Sequence, residues 1–110
     1  MLPRANRIIT GADYRRVSRR GRRSAGRFTV ISVAAATTDD ARFGFIVTRK
    51  LGGAVVRNRV RRRLKAIARS LVDQGMPPAD IVVRALPSSV TADWTSLQDE
   101  VSAVALGRSR

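Results

Sequence analysis

Arg57-Asn58-Arg59-Val60-Arg61-Arg62-Arg63-Leu64-Lys65-Ala66-Ile67-Ala68-Arg69 is the stretch from which the rest of the chain can be read. At helical spacing Val56, Val60, Leu64, Ile67 and Leu71 fall on one stripe, so the pattern predicts an amphipathic helix laid on a core. The other faces are almost wholly cationic, and no Asp or Glu occurs from Ala41 to Val72. Like charges at i and i+4, Arg57 with Arg61 and Arg61 with Lys65, repel by roughly a few tenths of a kcal/mol per pair. A helix with a few basic residues has merely a solvated face. One that accepts this repulsion with no acids opposite points to a polyanion.

Working outward, the helix ends near Gln74, where Gly75 serves as its cap and Pro77-Pro78 forbid continuation. Asp80-Ile81-Val82-Val83-Arg84-Ala85-Leu86 then reads as an apolar strand closed by Pro87. Trp94, Leu97, Val101 and Val104 recur at helical spacing, which predicts a last helix on the sheet, with Trp94 in the core rather than on a base-stacking surface. Before the long helix, Arg49-Lys50-Leu51-Gly52-Gly53 is a basic loop whose glycines allow a tight turn. Arg42 to Thr48 and Phe28 to Val33 are β-branched and aromatic, hence strands. With the polar turn at 37–40 between them, the pair reads as a hairpin. Thr10 is the expected N-cap of a helix from Gly11 to Arg20, stopped by Gly21, and residues 1–9 read as irregular and basic.

The order is therefore helix, strand, strand, helix, strand, helix: an α+β chain, a small two-layer sandwich with helices packed on a sheet. The strand–helix–strand segment is a crossover that general rules make right-handed. At 110 residues the chain reads as a single RNA-binding domain, with residues 107–110 a frayed basic tail.

Composition bounds the chemistry. Lys+Arg number 22 against 8 Asp+Glu, a net charge of +14, which bears on partners and predicts attraction to nucleic acid. There is no Cys and no His, which removes thiolate nucleophiles, the commonest general base and the commonest transition-metal ligands. Asp13 stands where a cap would stand, Asp39-Asp40 lie in a turn, and Asp99-Glu100 fall on the solvent side of the last helix. None of these suggests a site for autonomous nuclease chemistry, and no metal is expected on the protein. No apolar run approaches a membrane span and the N-terminus lacks a signal-peptide core, so the chain reads as cytoplasmic, with no membrane and no obligate protein partner.

Binding fits better. Arg donates two hydrogen bonds to a phosphate from a planar fork, and Lys occurs only at positions 50 and 65. Asn58 adds a donor and an acceptor for a base edge or sugar hydroxyl. Nothing resembles a helix-turn-helix or a dimerising element, so RNA recognised by shape and backbone is preferred to DNA.

Gly44-Phe45-Ile46-Val47-Thr48-Arg49-Lys50-Leu51-Gly52-Gly53-Ala54-Val55-Val56-Arg57-Asn58-Arg59-Val60-Arg61-Arg62 resembles the signature of the bacterial ribonuclease P protein subunit, whose hallmark is the Arg-Asn-Arg motif after a strand, a basic pair and a glycine. Asn6-Arg7, Asp13-Tyr14, Gly21 and the strand at Asp80–Ala85 fall in that family's order too, so the likeness covers nearly the whole chain. It implies that a large RNA, not the protein, cleaves the 5′ leader from precursor tRNA using Mg²⁺. By position, Arg57, Asn58, Arg59, Arg61, Arg62 and Lys65 would face that RNA, with Thr48, Arg49 and Lys50 beside them. Tyr14, Ser18, Phe28 and Ser32 would line a cleft for the leader. The family also implies a left-handed crossover, against the general rule. Two positions depart from its pattern: Ser18, one turn after Tyr14, and Ser32, on the first strand, stand where aromatics are common. Leader contacts would then shift toward Arg and Phe28. The alternative readings are a ribosomal or RNA-chaperone protein with the same basic helix, and an autonomous nuclease.

Overall fold

The computed structural model describes residues 2–107. Met1 and the basic residues 108–110 of the expected tail lie outside the described residues.

Three helices and one four-stranded sheet make an α+β architecture. The helices are α1 (Gly11–Arg20), α2 (Ala54–Asp73) and α3 (Trp94–Ala105), and the strands are β1 (Arg22–Ala25), β2 (Thr29–Ala34), β3 (Arg42–Ile46) and β4 (Asp80–Ala85). Thr10 caps α1 as its sequence suggests, its Oγ1 accepting from the Asp13 N–H at 3.2 Å. Asp93 does the same for α3 through the Ser96 N–H at 3.1 Å. Past α2, Gly75 adopts φ +78, the left-handed conformation that ends helices. No helix among the described residues is long and apolar enough to cross a membrane.

The sheet corrects the sequence reading twice. Its order is β1-β2-β4-β3, so β2 and β3 do not form a hairpin. Instead β4 lies between them, antiparallel to β2 and parallel to β3, and is reached through α2. The reason is burial: Ile81, Val82 and Val83 are all enclosed, so β4 belongs inside the sheet with both faces covered. The second correction is β1. Arg22-Arg23-Ser24-Ala25 has no β-branched or aromatic residue, yet it pairs antiparallel with β2, Arg22 opposite Val33 through Ala25 opposite Val30. Pairing overrides propensity here, and the charged side chains suit a sheet edge. The element order thus gains a strand after α1.

Successive residues of each strand alternate between two faces. Ile31, Phe43, Ile81 and Val83 meet Val60, Leu64, Ile67 and Leu71 of α2 and Leu97 and Val101 of α3 in the main core. On the opposite face Val82 meets Val17 of α1 and Ile8, with Tyr14, Ala34 and Ile46 packed around them. The expected α2 stripe is this core, except that Val56 at its start is half-buried.

Three further expectations change. Trp94 is not core: it is 40% exposed, at the first position of α3, with the Arg63 guanidinium 6.0 Å from its ring centre. The buried stripe starts one turn later, at Leu97. Glu100 does not face solvent. Its carboxylate accepts from the backbone N–H groups of Arg27 (2.7 Å) and Phe28 (3.1 Å) and from Thr29 Oγ1 (2.6 Å), fixing the β1–β2 turn against α3. The N-terminal stretch is tied down. Leu2 is in the main core, Asn6 Nδ2 donates to the Ala41 carbonyl at 2.8 Å, and the Ile8 N–H donates to the Phe43 carbonyl at 2.9 Å along the outer edge of β3.

Leu64 is 1% exposed at the middle of the α2 stripe. Leu64→Ala is expected to cost about 2–5 kcal/mol of folding stability, with the exposed cationic face of α2 unchanged. Denaturant titration of the two proteins checks this.

Candidate nucleic-acid interface

With the apolar side of α2 on the sheet, its arginines are distributed by helical angle. Asn58, Arg61, Arg62 and Lys65 line one shallow depression together with the exposed Val55. Asn58 is oriented within it, its Oδ1 accepting from Arg61 Nη1 at 3.0 Å. Arg59 is exposed on the neighbouring face. Arg57 lies half-buried on the flank, its Nε without a hydrogen-bond partner among the described residues. Arg63 is tied inward, donating from Nη2 to the Ala92 carbonyl at 2.8 Å.

Thr48, Arg49 and Lys50 lead into this helix through a 3-10 turn at Arg49–Leu51. Leu51 is buried and anchors the turn, which leaves Arg49 and Lys50 exposed beside the start of α2. Gly52 has φ +140, a conformation that L side chains rarely adopt, so this tight approach requires glycine.

A groove lies on the other face of the sheet. Ser18 of α1 forms one wall, the floor is Val30, Ser32, Ile46 and Val82, and Arg23, Arg84 and Leu86 complete it. The registers explain the grouping: Arg23 is opposite Ser32 and Ser32 opposite Val82, while Val30 and Ile46 flank Arg84. Ser18 and Ser32, the two residues standing where aromatics are common, therefore meet in one groove. Tyr14 sits beside it. Its ring lies on Gly44, where a Cβ would come within 2.6 Å of the ring, and its hydroxyl accepts from the Phe45 N–H at 3.2 Å. Tyr14 also lines a depression with Arg7, Ile8, Phe43, Phe45, Arg61 and Lys65, which joins the α1 side of the sheet to the cationic face of α2.

Phe28 is the correction. It is 9% exposed and belongs to the main core on the α2–α3 side, so it does not line the groove. It stands just before β2 and outside the strand, so the alternation that puts Val30 and Ser32 on the groove face does not extend to it. Sequence reasoning missed Arg23 and Arg84. Arg23 was hidden in an unrecognised strand, but Arg84 had a signal: Asp80, Val82 and Arg84 alternate along β4, as one face of a strand must.

An ion cluster stands between α1 and the starts of β3 and β4. The Asp80 side chain is fully buried and accepts from Arg42 Nε and Nη2, both at 3.0 Å, from Thr37 Oγ1 at 3.0 Å, and from Arg16 Nη2. Asp13 lies 3.5 Å from both Arg16 and Arg42. Burial alone would push the Asp80 carboxyl up; hydrogen bonds from Arg42, Arg16 and Thr37 outweigh it and hold the group below its ordinary value.

Comparison with known proteins gives one consistent result. The ribonuclease P family model matches residues 2–107. The ribonuclease P protein component of Clavibacter michiganensis is 49% identical over 104 residues, covering 93% of this chain and 91% of that protein. That of Acidothermus cellulolyticus is 43% identical over 110 residues, covering 98% and 91%. Among solved structures, the Staphylococcus aureus RNase P protein superposes with a TM-score of 0.81 at 27% identity, covering 92% of this chain and 93% of that one. The Thermotoga maritima RNase P protein shares the fold, with a TM-score of 0.80 at 21% identity over 94% and 97%.

The Asp80 cluster gives folding a pH dependence of definite sign. Because the carboxyl is lower in the folded than in the unfolded chain, its contribution is fully present above the ordinary carboxylate range, about 4. It is lost as the pH falls through the folded value. Stability should therefore drop on acidification below about pH 4, and Asp80→Asn should flatten that drop while lowering stability at neutral pH. Chemical denaturation across a pH series measures both.

Proposed function

The chain belongs to the ribonuclease P protein family, and from that membership we propose how its surfaces divide the work of removing the 5′ leader from precursor tRNA. It is the protein component of that tRNA-processing ribonucleoprotein and works with the ribonuclease P RNA. A ribosomal or RNA-chaperone role is not favoured. The finer assignment is that α2 and the Arg49–Leu51 turn face the catalytic RNA, while the groove between α1 and the sheet holds the leader. Cleavage chemistry belongs to the RNA and its Mg²⁺, with the protein lowering the Mg²⁺ required by offsetting phosphate repulsion.

The observation that carries this reading is the separation of two surfaces on opposite sides of β3. Asn58, Arg61, Arg62 and Lys65 form an outward face suited to backbone phosphates. The groove brings together two serine hydroxyls and two guanidiniums over an apolar floor, chemistry suited to a single strand. Tyr14 lies where the two surfaces meet, so a strand leaving the groove passes its ring on the way to Arg61 and Lys65.

Each surface has its own signature in binding. Replacing the exposed Arg59 and Arg62 with Ala should weaken the catalytic RNA complex and reduce the slope of log affinity against log salt by up to about two, one per lost phosphate contact. Melting temperature should hold, because neither residue packs on the core.

The leader assignment is tested at Tyr14 in the reconstituted holoenzyme. Tyr14→Ala should cost leader-bearing tRNA roughly 1–3 kcal/mol of binding, the worth of one aromatic–base contact, and leave mature tRNA nearly unchanged. Tyr14→Phe keeps the ring and should keep the leader preference, although it gives up the hydrogen bond from Phe45. Equal losses for both tRNAs with Tyr14→Ala, measured well below the melting temperature, would show that the residue serves packing alone.

A further inference from the structure

The ion cluster beside the groove plays no part in the RNA contacts proposed above. Asp13 and Asp80 face Arg16 and Arg42, two carboxylates and two guanidiniums, so the cluster is neutral in a chain of net charge +14. It joins α1 through Asp13 and Arg16, β3 through Arg42 and β4 through Asp80. Arg15, Arg19 and Arg20 of α1 stand exposed; Arg16 alone among the four arginines of that helix is turned to the sheet and half-buried.

Its position matters. Asp80 lies opposite Ala34 of β2 and Arg42 of β3, two residues on Val82 lies opposite Ser32 and Gly44, and two further on Arg84 lies opposite Val30 and Ile46. These rows share the face covered by α1. The neutral cluster at Asp80 therefore lies just beyond the Val82 side of the groove, whose other side is cationic at Arg84. Ser18, the groove wall on α1, belongs to the same helix that Arg16 ties to Asp80 and Val17 packs on the sheet.

We propose that Asp80 is a specificity-determining positioning residue: it pins Arg16 and Arg42, fixing α1 as the groove wall and withholding two guanidiniums from RNA phosphate. The inference rests on the leader reading of the groove. Without Asp80, two effects appear together. The unpinned wall weakens the advantage of a leader lying in the groove, and the released guanidiniums add contacts that any phosphate chain can use. A residue that merely stabilises the fold would lower the melting temperature and could not steepen a salt slope.

Asp80→Asn and Arg16→Met separate the two effects. In the second variant Asp80 keeps Arg42 and Thr37 as partners, so its burial remains satisfied, while the arm to α1 is gone. The holoenzyme is titrated with precursor tRNA and with the same tRNA lacking the leader. The full chain alone is titrated with a single-stranded RNA of leader length at several salt concentrations. Both variants should narrow the leader preference by about five-fold or more, the least that one lost base contact is worth. Asp80→Asn should also steepen the salt slope by up to about two, one per released guanidinium, whereas Arg16→Met should not. If the unmodified holoenzyme shows no leader preference, the leader reading fails and this inference with it. If that preference exists and survives in both variants, or if Asp80→Asn leaves the slope unchanged, this inference alone is overturned. Should Asp80→Asn fail to fold, Arg16→Met decides: a retained preference overturns the assignment.

Discussion

The structure depends on the enclosure of β4 from both sides. Ile81 and Val83 turn to α2 and α3, and Val82 turns to α1, so a single strand supplies apolar surface to two separate clusters. A strand of that kind cannot sit at an edge without exposing one of its faces, which is why it enters between β2 and β3. Everything functional follows from that placement. The crossover through α2 brings Arg61 and Lys65 beside Phe43 and Phe45 of β3, and the groove lies on the opposite face of the sheet, beside α1.

The acids explain how so basic a chain stays organised. Glu100 holds the β1–β2 turn, Asp93 caps α3, Asp73 pairs with Arg69 at the end of α2, and Asp13 with Asp80 braces α1 against the sheet. Each of these carboxylates acts on backbone or on a structural arginine. None reaches the middle of α2, where Asn58, Arg61, Arg62 and Lys65 lie. Arg16, Arg42 and Arg63 are thus engaged within the protein, and the outward face of α2 keeps its charge.

Legibility in the sequence tracked the kind of signal. The helices were readable because caps and 3.6-residue periodicity are local: Thr10, Gly75 and the Val60–Leu64–Ile67–Leu71 stripe each act within one or two turns. Strand pairing was not, because it is decided by which surfaces are buried after the chain has crossed through α2, and adjacency in sequence suggested a β2–β3 hairpin instead. β1 was invisible for a related reason: its pairing with β2 stabilises residues that have no preference for a strand. The same limits apply to the interface. The motif on α2 stood out by composition alone, but Arg23 and Arg84 join the groove only through sheet register. Phe28 looked available because it is aromatic and near the right strand, and burial in the main core removes it.

The two serines of the groove then acquire a physical meaning. Aromatic side chains at Ser18, on the wall, and Ser32, on the floor, would present ring surface to bases. Hydroxyls in their place leave the floor shallower in apolar area and offer donors and acceptors to sugar and phosphate. Arg23, opposite Ser32, and Arg84, in the next row between Val30 and Ile46, add two forked donors. On the leader reading, such a groove would suit the backbone of a strand more than its bases, and backbone is the same in every sequence. Discrimination has to come from geometry: from how wide the groove is held and from which guanidiniums are allowed to reach it. The neutral brace beyond the Val82 side of the groove and the cationic Arg84 row would supply that geometry, and the ring of Tyr14, set on Gly44, stands beside the groove as its neighbouring aromatic surface.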